Sequence, residues 1–334
     1  METITLPDNC HQQVRIDTAP DLLVARHVAG LLCAGTGLTA TQQERVNLII
    51  TELGNNLLRH AAGGAFLLRR LDGRTGVECI CWDRGPGIGD LGAALHDGHT
   101  GDAAFGSSLG VGLGAVRRMS DEFDIHSEAA IGTAVLSRVR RAAADRPAPP
   151  FQFGAVMLPM AGMKHCGDGW VVMKQGLVAV IDGLGHGGEA SIAARRAELS
   201  IPFDEDDPPR VINAMHAALR GTRGAVAMVA HMAEDGVHFC GVGNIAGAVI
   251  GIDRISRLHS AWGVVGSRIT PPAVHRIGWQ SGDVLLLHSD GVARATDAFA
   301  ARYLRYIDPT LACAIILRDA ATKLDDQTVV IVRR

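Results

Sequence analysis

Apolar positions along the chain fall into two kinds of run, and they divide it into a mixed first part and a strand-rich second part. Residues 19–33 read as a helix with Asp21 near its start, and residues 39–61 read as a stronger one. In the second helix Thr41 is a plausible N-cap, and Glu44 three residues later would close a capping box. Runs at 66–71 and 77–82 predict strands around a turn at Asp72-Gly73. A glycine-rich stretch from Gly98 to Gly114 leads into a short helix at 115–119, followed by strands at 123–127 and 133–139. Further strands are expected near 153–158, 170–174, 177–181, 225–232, 236–243, 246–252, 284–288 and 328–332. Helices are expected near 189–199, 208–220 and 310–323. The acidic segment DEDDPP, 204–209, reads as a solvated loop before a helix and not as a metal site.

The clearest seam is RRAAADRPAPP, Arg140 to Pro150, whose prolines and alanines suit a short, partly extended linker. It separates a domain at 1–140 from one at 151–334, with a linker at 141–150. A length of 334 residues is comfortable for two domains. No internal repeat relates the halves, so the organisation is a fusion and not a duplication. Hydrophobic residues make up 47% but aromatics only 4%, so the cores must be built from Val, Ile, Leu and Ala.

A net charge of −3 leaves no electrostatic footprint for nucleic acid. The seven cysteines include no CxxC pair and are odd in number, which argues against a disulfide framework or zinc ribbon. Cys79 and Cys81 alternate on a strand and read as small core residues. No apolar run is long enough to span a bilayer. A reduced, cytoplasmic protein with no membrane partner is the expectation.

Three segments of the first half carry chemistry. Glu52, Asn56 and His60 are spaced by four and share one helix face. Taken alone, that is a solvated face, although a carboxylate and an amide there can position water and Mg²⁺. Asp83-Arg-Gly-Pro-Gly-Ile88 ends a strand, and Gly85 and Gly87 permit a tight turn and close ligand approach. Gly106 to Gly114, GSSLGVGLG, runs into a helix and exposes N–H groups suited to polyphosphate. Gly110-x-Gly112-x-Gly114 lacks the spacing and preceding strand of a dinucleotide fingerprint, and no Walker A motif is present.

In the second half Asp168, Asp182, Asp290 and Asp325 stand at the ends of strand-like runs. Clustered carboxylates raise one another's pKa, and hard divalent cations are their natural neutraliser. GDGWVVMKQGLVAVIDG, 167–183, reads as a hairpin. With Gln175-Gly176 as its turn, Lys174 pairs with Leu177, and Asp168 falls opposite Gly183, one step from Asp182. Any one Asp-Gly after a strand is an ordinary turn. The several strings together, in order, are more than that.

TELGNNLLRHA, DRGPGI and GSSLGVGLGAVRRMSDEFDI, closed by Gly132-Thr133, resemble in order and spacing the GHKL (Bergerat-fold) ATPases and kinases over roughly residues 10–140. The resemblance is greatest to the small serine kinases and anti-sigma factors of bacterial regulation. It implies that Glu52 polarises the attacking group, Asn56 chelates Mg²⁺ and Asp83 reads the adenine amino group. Gly85, Gly87, Gly110, Gly112, Gly114 and Thr133 would belong to the ATP-binding boxes. The family spacing favours Asn56 over Asn55.

GDGW, DGLGHGGEA, GTRGA, GVGN, GVVG, LLHSDG and DDQTVVIV resemble the SpoIIE-type PP2C (PPM) serine/threonine phosphatases over about 151–334. The resemblance implies that Asp168, Asp182, Asp290 and Asp325, with the Gly183 carbonyl, ligate two Mn²⁺ or Mg²⁺ ions, with Asp326 in support. Asp182 and Asp290 would be central to catalysis, while His186 reads as an exposed loop histidine.

The expected fold class is α/β (α+β), a GHKL α/β sandwich followed by a PP2C-like αββα sandwich. The expected function is a bifunctional partner-switching regulator. Its ATP-Mg domain would phosphorylate a STAS-domain anti-sigma antagonist or stressosome-like protein, and its phosphatase would remove the mark. The alternative is an N-terminal domain that binds ATP without transferring phosphate, with a sigma factor as a partner.

Overall fold

The computed structural model describes residues 9–71, 74–95, 112–141, 151–322 and 324–334. It divides into two compact units, Met1–Arg146 and Pro147–Arg334. The turn expected at Asp72-Gly73, and residues 142–150 of the expected linker, lie outside the described residues. Arg141, placed at the linker's start, still donates its N–H to Thr75 O at 2.8 Å.

The first unit is one antiparallel sheet with helices on a face. Its strands are β1 (Gln12–Ile16), β2 (Gly64–Arg70), β3 (Gly76–Trp82), β4 (Glu122–Glu128) and β5 (Gly132–Arg140), in the order β1-β2-β3-β5-β4. Helices α1 (Ala19–Cys33) and α2 (Ala40–His60) are followed by the single turn α3 (Leu91–Ala94) and the short α4 (Leu113–Met119). Phe66 and Leu68 of β2, with Val77, Cys79 and Cys81 of β3, meet Ile49, Leu53 and Leu57 of α2 in the core. The two cysteines are buried and free, in line with the expected core role.

Two local expectations change. The cap of α2 is Thr39, not Thr41: Thr39 N donates to Gln42 Oε1 at 2.9 Å, and Gln42 N donates back to Thr39 Oγ1 at 3.3 Å. Gln at the third helical position closes the box as Glu would, so Ala40 is already helical. Strand β1 was not expected. Its core residues are only Val14 and Ile16, alternating with exposed Gln13 and Arg15.

The second unit stacks two five-stranded antiparallel sheets between helices. One sheet, in the order β15-β10-β9-β8-β7, uses β7 (Asp168–Val172), β8 (Leu177–Gly183), β9 (Ala225–Ala233), β10 (Gly236–Val242) and β15 (His275–Ile277). The other, in the order β12-β11-β16-β17-β6, uses β6 (Gln152–Leu158), β11 (Ala246–Ile250), β12 (Ile255–Arg257), β16 (Val284–His288) and β17 (Gln327–Arg333). A small hairpin joins β13 (Gly263–Val264) to β14 (Arg268–Ile269). Helices α5 (Gly188–Leu199) and α6 (Pro208–Ala218) cover the first sheet through Ala193, Ala197, Val211 and Met215. Helices α7 (Ala295–Ala301) and α8 (Pro309–Ala320) belong to the opposite outer layer, α8 packing on β6 and β17.

This αββα arrangement explains why β8 is apolar without alternation. Leu177 through Ile181 are fully buried because both faces of the strand are covered. The acidic segment before α6 is a loop whose Asp207 precedes the first helical turn. Among the described residues no helix is long and apolar enough to cross a membrane.

Candidate active sites

In the first unit, a cavity of about 380 Å³ opens between α2, the DRGPGI loop and the start of α4. Asn56 and His60 reach it from α2, Asp83 and Gly87 from the loop, and Thr133 from β5. Its remaining walls are largely apolar, including Leu53, Ile88, Leu113 and Val135. Asp83 is fixed at the end of β3 because one carboxylate oxygen, Oδ1, accepts from Gly85 N at 2.8 Å and Thr133 N at 3.1 Å. The loop is pinned again where Ala130 N donates to Pro86 O at 2.8 Å. Gly87 has φ of 74°, and a Cβ there would come within 2.4 Å of Glu128 O, so only glycine fits.

The other expected residues take different places. Gly112 lines the cavity where α4 begins, while Gly114 is buried inside that helix. Gly85 supports the loop and is not in the wall. Glu52 sits one turn before Asn56, half-buried, and is not among the lining residues. Gly110 lies outside the described residues. The apolar wall was not singled out in the sequence, although Leu53 and Leu57 fall on the inward face of α2.

In the second unit, the β7–β8 hairpin brings Asp168 and Asp182 directly opposite one another. The register is one residue away from that expected. Met173, not Lys174, pairs with Leu177: Met173 N donates to Leu177 O at 2.8 Å and Gly176 N to Met173 O at 2.9 Å. The loop therefore has three residues, Lys174, Gln175 and Gly176, with Gly176 in the left-handed region at φ 95°. A three-residue loop with a left-handed glycine is a common alternative to the two-residue turn. The shift makes the two aspartates direct cross-strand neighbours, about 5 Å apart by strand geometry.

Two other strand ends complete the cluster. Asp290 follows β16, and its Oδ2 accepts from Asn244 Nδ2 at 2.6 Å. Asp325 and Asp326 precede β17. Ser289 Oγ donates to Asp168 Oδ2 at 2.7 Å while accepting from Thr328 N at 2.9 Å. Asp326 is buried and committed to the backbone, accepting from Met160 N and Gly167 N at 2.7 Å each. Its role is to hold the 160–167 loop, while the charge of Asp325 acts on Asp182 and Asp290. Asn244 and Ser289 were not singled out in the sequence. Each stood inside a recognised string, GVGN or HSDG, but the pairing spans 46 residues for Asn244 and 121 for Ser289. Gly183 is closed to any side chain, since a Cβ would lie 2.2 Å from Ala190 O. His186 is exposed.

Burial, followed by the charges of Asp168, Asp290, Asp325 and Asp326, pushes Asp182 up to about 9. Burial also pushes Asp168 up to about 7, with Asp326 and Asp290 adding to it and the Ser289 hydroxyl opposing it. Asp290 is raised by burial and by Asp325. Asp168 Oδ1 is buried without a hydrogen-bond partner.

These residues fit hard divalent ions, which take oxygen donors and relieve like-charge repulsion. Among the described residues no three acidic, histidine or cysteine groups close around one point as a tight cage. Ions that keep several waters need fewer direct carboxylates each, and a wider spread suits them.

Residues 17–138 match the family model described as histidine kinase-like ATPase domain. The serine/threonine-protein kinase RsbT of Bacillus subtilis (strain 168) is 32% identical over 124 residues, which is 36% of this chain and 90% of the kinase. A chain solved in work on the bacterial stressosome, as a modular system adapted to control secondary messenger signaling, is 28% identical. It aligns over 55% of this chain and 99% of its own, with a TM-score of 0.51. A crystal structure of RsbX in complex with magnesium is 20% identical over 56% of this chain and 96% of its own, with a TM-score of 0.48. Through its first unit, the chain belongs to the histidine kinase-like ATPase family, in the company of the RsbT serine/threonine kinase.

Proposed function

We propose that the protein is a bifunctional partner-switching regulator. Its second unit is a metal-dependent serine/threonine phosphatase acting on a phosphorylated STAS-domain protein. Its first unit is an ATP-dependent serine/threonine kinase acting on the same or a related partner. One observation carries the phosphatase reading: Asp168 and Asp182 face each other across β7 and β8 with their carboxylates held above the ordinary range. Likeness to RsbT supports the kinase reading.

Asp168, Asp182, Asp290, Asp325 and the Gly183 carbonyl would hold two Mn²⁺ or Mg²⁺ ions. Once bound, the ions supply a water acidic enough to attack phosphorus and offset charge on the phosphoryl oxygens. Ser289 aims Asp168, Asn244 aims Asp290, and Asp326 fixes the loop beside them. In the kinase unit, Asn56 would ligate the Mg²⁺ of ATP, and the second carboxylate oxygen of Asp83 would read the adenine amino group. The apolar walls would hold the base, and Glu52 would take or orient the proton of the incoming hydroxyl. Two opposed activities on one chain act on a shared partner at high local concentration. A cytoplasmic location follows from such a partner.

Labelled ATP, Mg²⁺ and candidate STAS-domain proteins should give a phosphorylated partner with Asp182→Asn protein, in which the product is not erased. Glu52→Ala in that background should bind ATP normally and transfer phosphate about 100-fold more slowly. ATP-dependent partner binding with no transfer would instead assign the first unit a sequestering role, with a sigma factor as one such partner. Transfer at the wild-type rate would remove Glu52 from the chemistry.

A further inference from the structure

We propose that Arg223 is the side chain that takes the phosphate of the substrate at the carboxylate centre, an inference that rests on the phosphatase reading. The centre gathers five aspartates and therefore repels a phosphate monoester, also an anion, until cations balance it. A forked guanidinium at the rim is suited to that ligand, because it gives paired donors to two phosphate oxygens.

The backbone places Arg223 at the correct edge. Strand β9 pairs with β8 so that Asp182 faces Val226 and Gly183 faces Ala225. One step further, Leu184 N donates to Gly224 O at 3.1 Å. Arg223 thus leaves the chain beside the turn that follows Asp182. Its own turn is fixed, with Thr222 N bonded to Leu219 O at 3.0 Å and Gly224 N to Thr222 Oγ1 at 3.0 Å.

The side chain is aimed as well. Arg223 Nε pairs with Glu189 Oε2 at 2.6 Å, from the first turn of α5. One terminal nitrogen, Nη1, lies across Gly185, where a Cβ would be 3.0 Å away. The guanidinium therefore lies over the loop that links Gly183 to α5. Half of the side chain remains exposed, at 51%, so a ligand can reach it. A surface ion pair adds little stability. What the Glu189 contact does here is hold the fork in one orientation.

The test uses the full chain with Mn²⁺, with p-nitrophenyl phosphate as substrate and inorganic phosphate as competitor. Arg223→Ala should raise both KM and the phosphate inhibition constant about 10- to 100-fold, the share of one charge-assisted hydrogen bond. The change in kcat should be under about threefold, since the interaction is made with the ground state too. Arg223→Lys should recover part of the loss, and Glu189→Gln should cost less than Arg223→Ala. A merely bracing role would make Glu189→Gln as damaging as Arg223→Ala and leave phosphate inhibition unmoved. That result, with wild-type hydrolysis intact and metal-dependent, overturns the inference and spares the phosphatase reading. If wild type hydrolyses nothing, calorimetric titration of inorganic phosphate into the Mn²⁺-loaded chain decides. Binding that Arg223→Ala loses sustains the inference, whereas equal binding or none overturns it.

Discussion

Both units bury carboxylates, and they neutralise them in opposite ways. In the first, Glu78 is fully buried with Arg69 Nε and Arg138 Nε each 2.6 Å away and His11 Nε2 at 3.1 Å. Burial alone would raise Glu78, but Arg69 and Arg138, helped by His11, hold it well below the ordinary carboxylate range. In the second, Asp168 and Asp182 have mainly one another and further aspartates as charged neighbours, and both are raised. The first arrangement is completed by folding. On the proposed reading the second would be completed by a cation from solution, and perturbed carboxylates of that kind cluster at functional sites. A carboxylate's burial is therefore a poor guide to function until the sign of its neighbours is known.

The largest effect should come from removing one charge at the incomplete cluster. Asp182→Asn should lower metal-dependent phosphatase turnover by about a thousandfold or more, since Asp182 would help to hold the ions that supply the nucleophile. ATP affinity of the first unit should not change. Full turnover in EDTA by wild-type protein would place the chemistry elsewhere.

Breaking the finished network should act on stability instead. Arg138→Ala leaves Glu78 buried with an incomplete set of partners and should destabilise the first unit by about 3 kcal/mol. Denaturant unfolding followed on residues 1–146 and on the full chain measures it. A loss below about 1 kcal/mol would mean that water or His11 replaces the guanidinium.

Nucleotide binding should respond more modestly. Asn56→Ala removes the amide that reaches the cavity and should weaken ATP-Mg²⁺ binding about tenfold, read by calorimetry. Phosphatase activity should be unaffected. Equal affinity in the variant would transfer the metal-ligand role to another wall residue.

What was legible in the sequence followed from short-range rules. The β7–β8 hairpin could be read from its apolar runs and the glycine between them. Its register could not, because two- and three-residue loops both end at Gly176 and differ only in which backbone groups close the turn. Likewise Thr39 and Thr41 both satisfy a capping pattern, and the choice depends on where tertiary packing starts the helix. Asn244 and Ser289 were hidden for a different reason. Their partners are set by how β11, β16 and β7 assemble, which no local pattern records. Glu52 shows the converse: its spacing from Asn56 is legible, yet that spacing alone did not bring it to the cavity wall.

The effect that separates the two neutralisation schemes most directly is on stability against pH without metal. Asp168 and Asp182 are raised in the folded state from about 3.8 to about 7 and about 9, so the folded form holds more protons than the unfolded form between those limits. Stability then falls as pH rises through that window. Glu78 has the opposite sign: its contribution is present above its unfolded value of 4.5 and is lost only as pH falls below that value. Between pH 5 and pH 8 in EDTA, the two networks should therefore not interfere. The second unit's melting transition should drop as pH rises, by about 2–4 °C for each kcal/mol lost in a domain of this size. Asp182→Asn removes the higher of the two titrations and should flatten the slope, and Mn²⁺ should flatten it in wild type. An identical slope in wild type and Asp182→Asn would show that the aspartates are already balanced by the protein, and the contrast between the two units would fall.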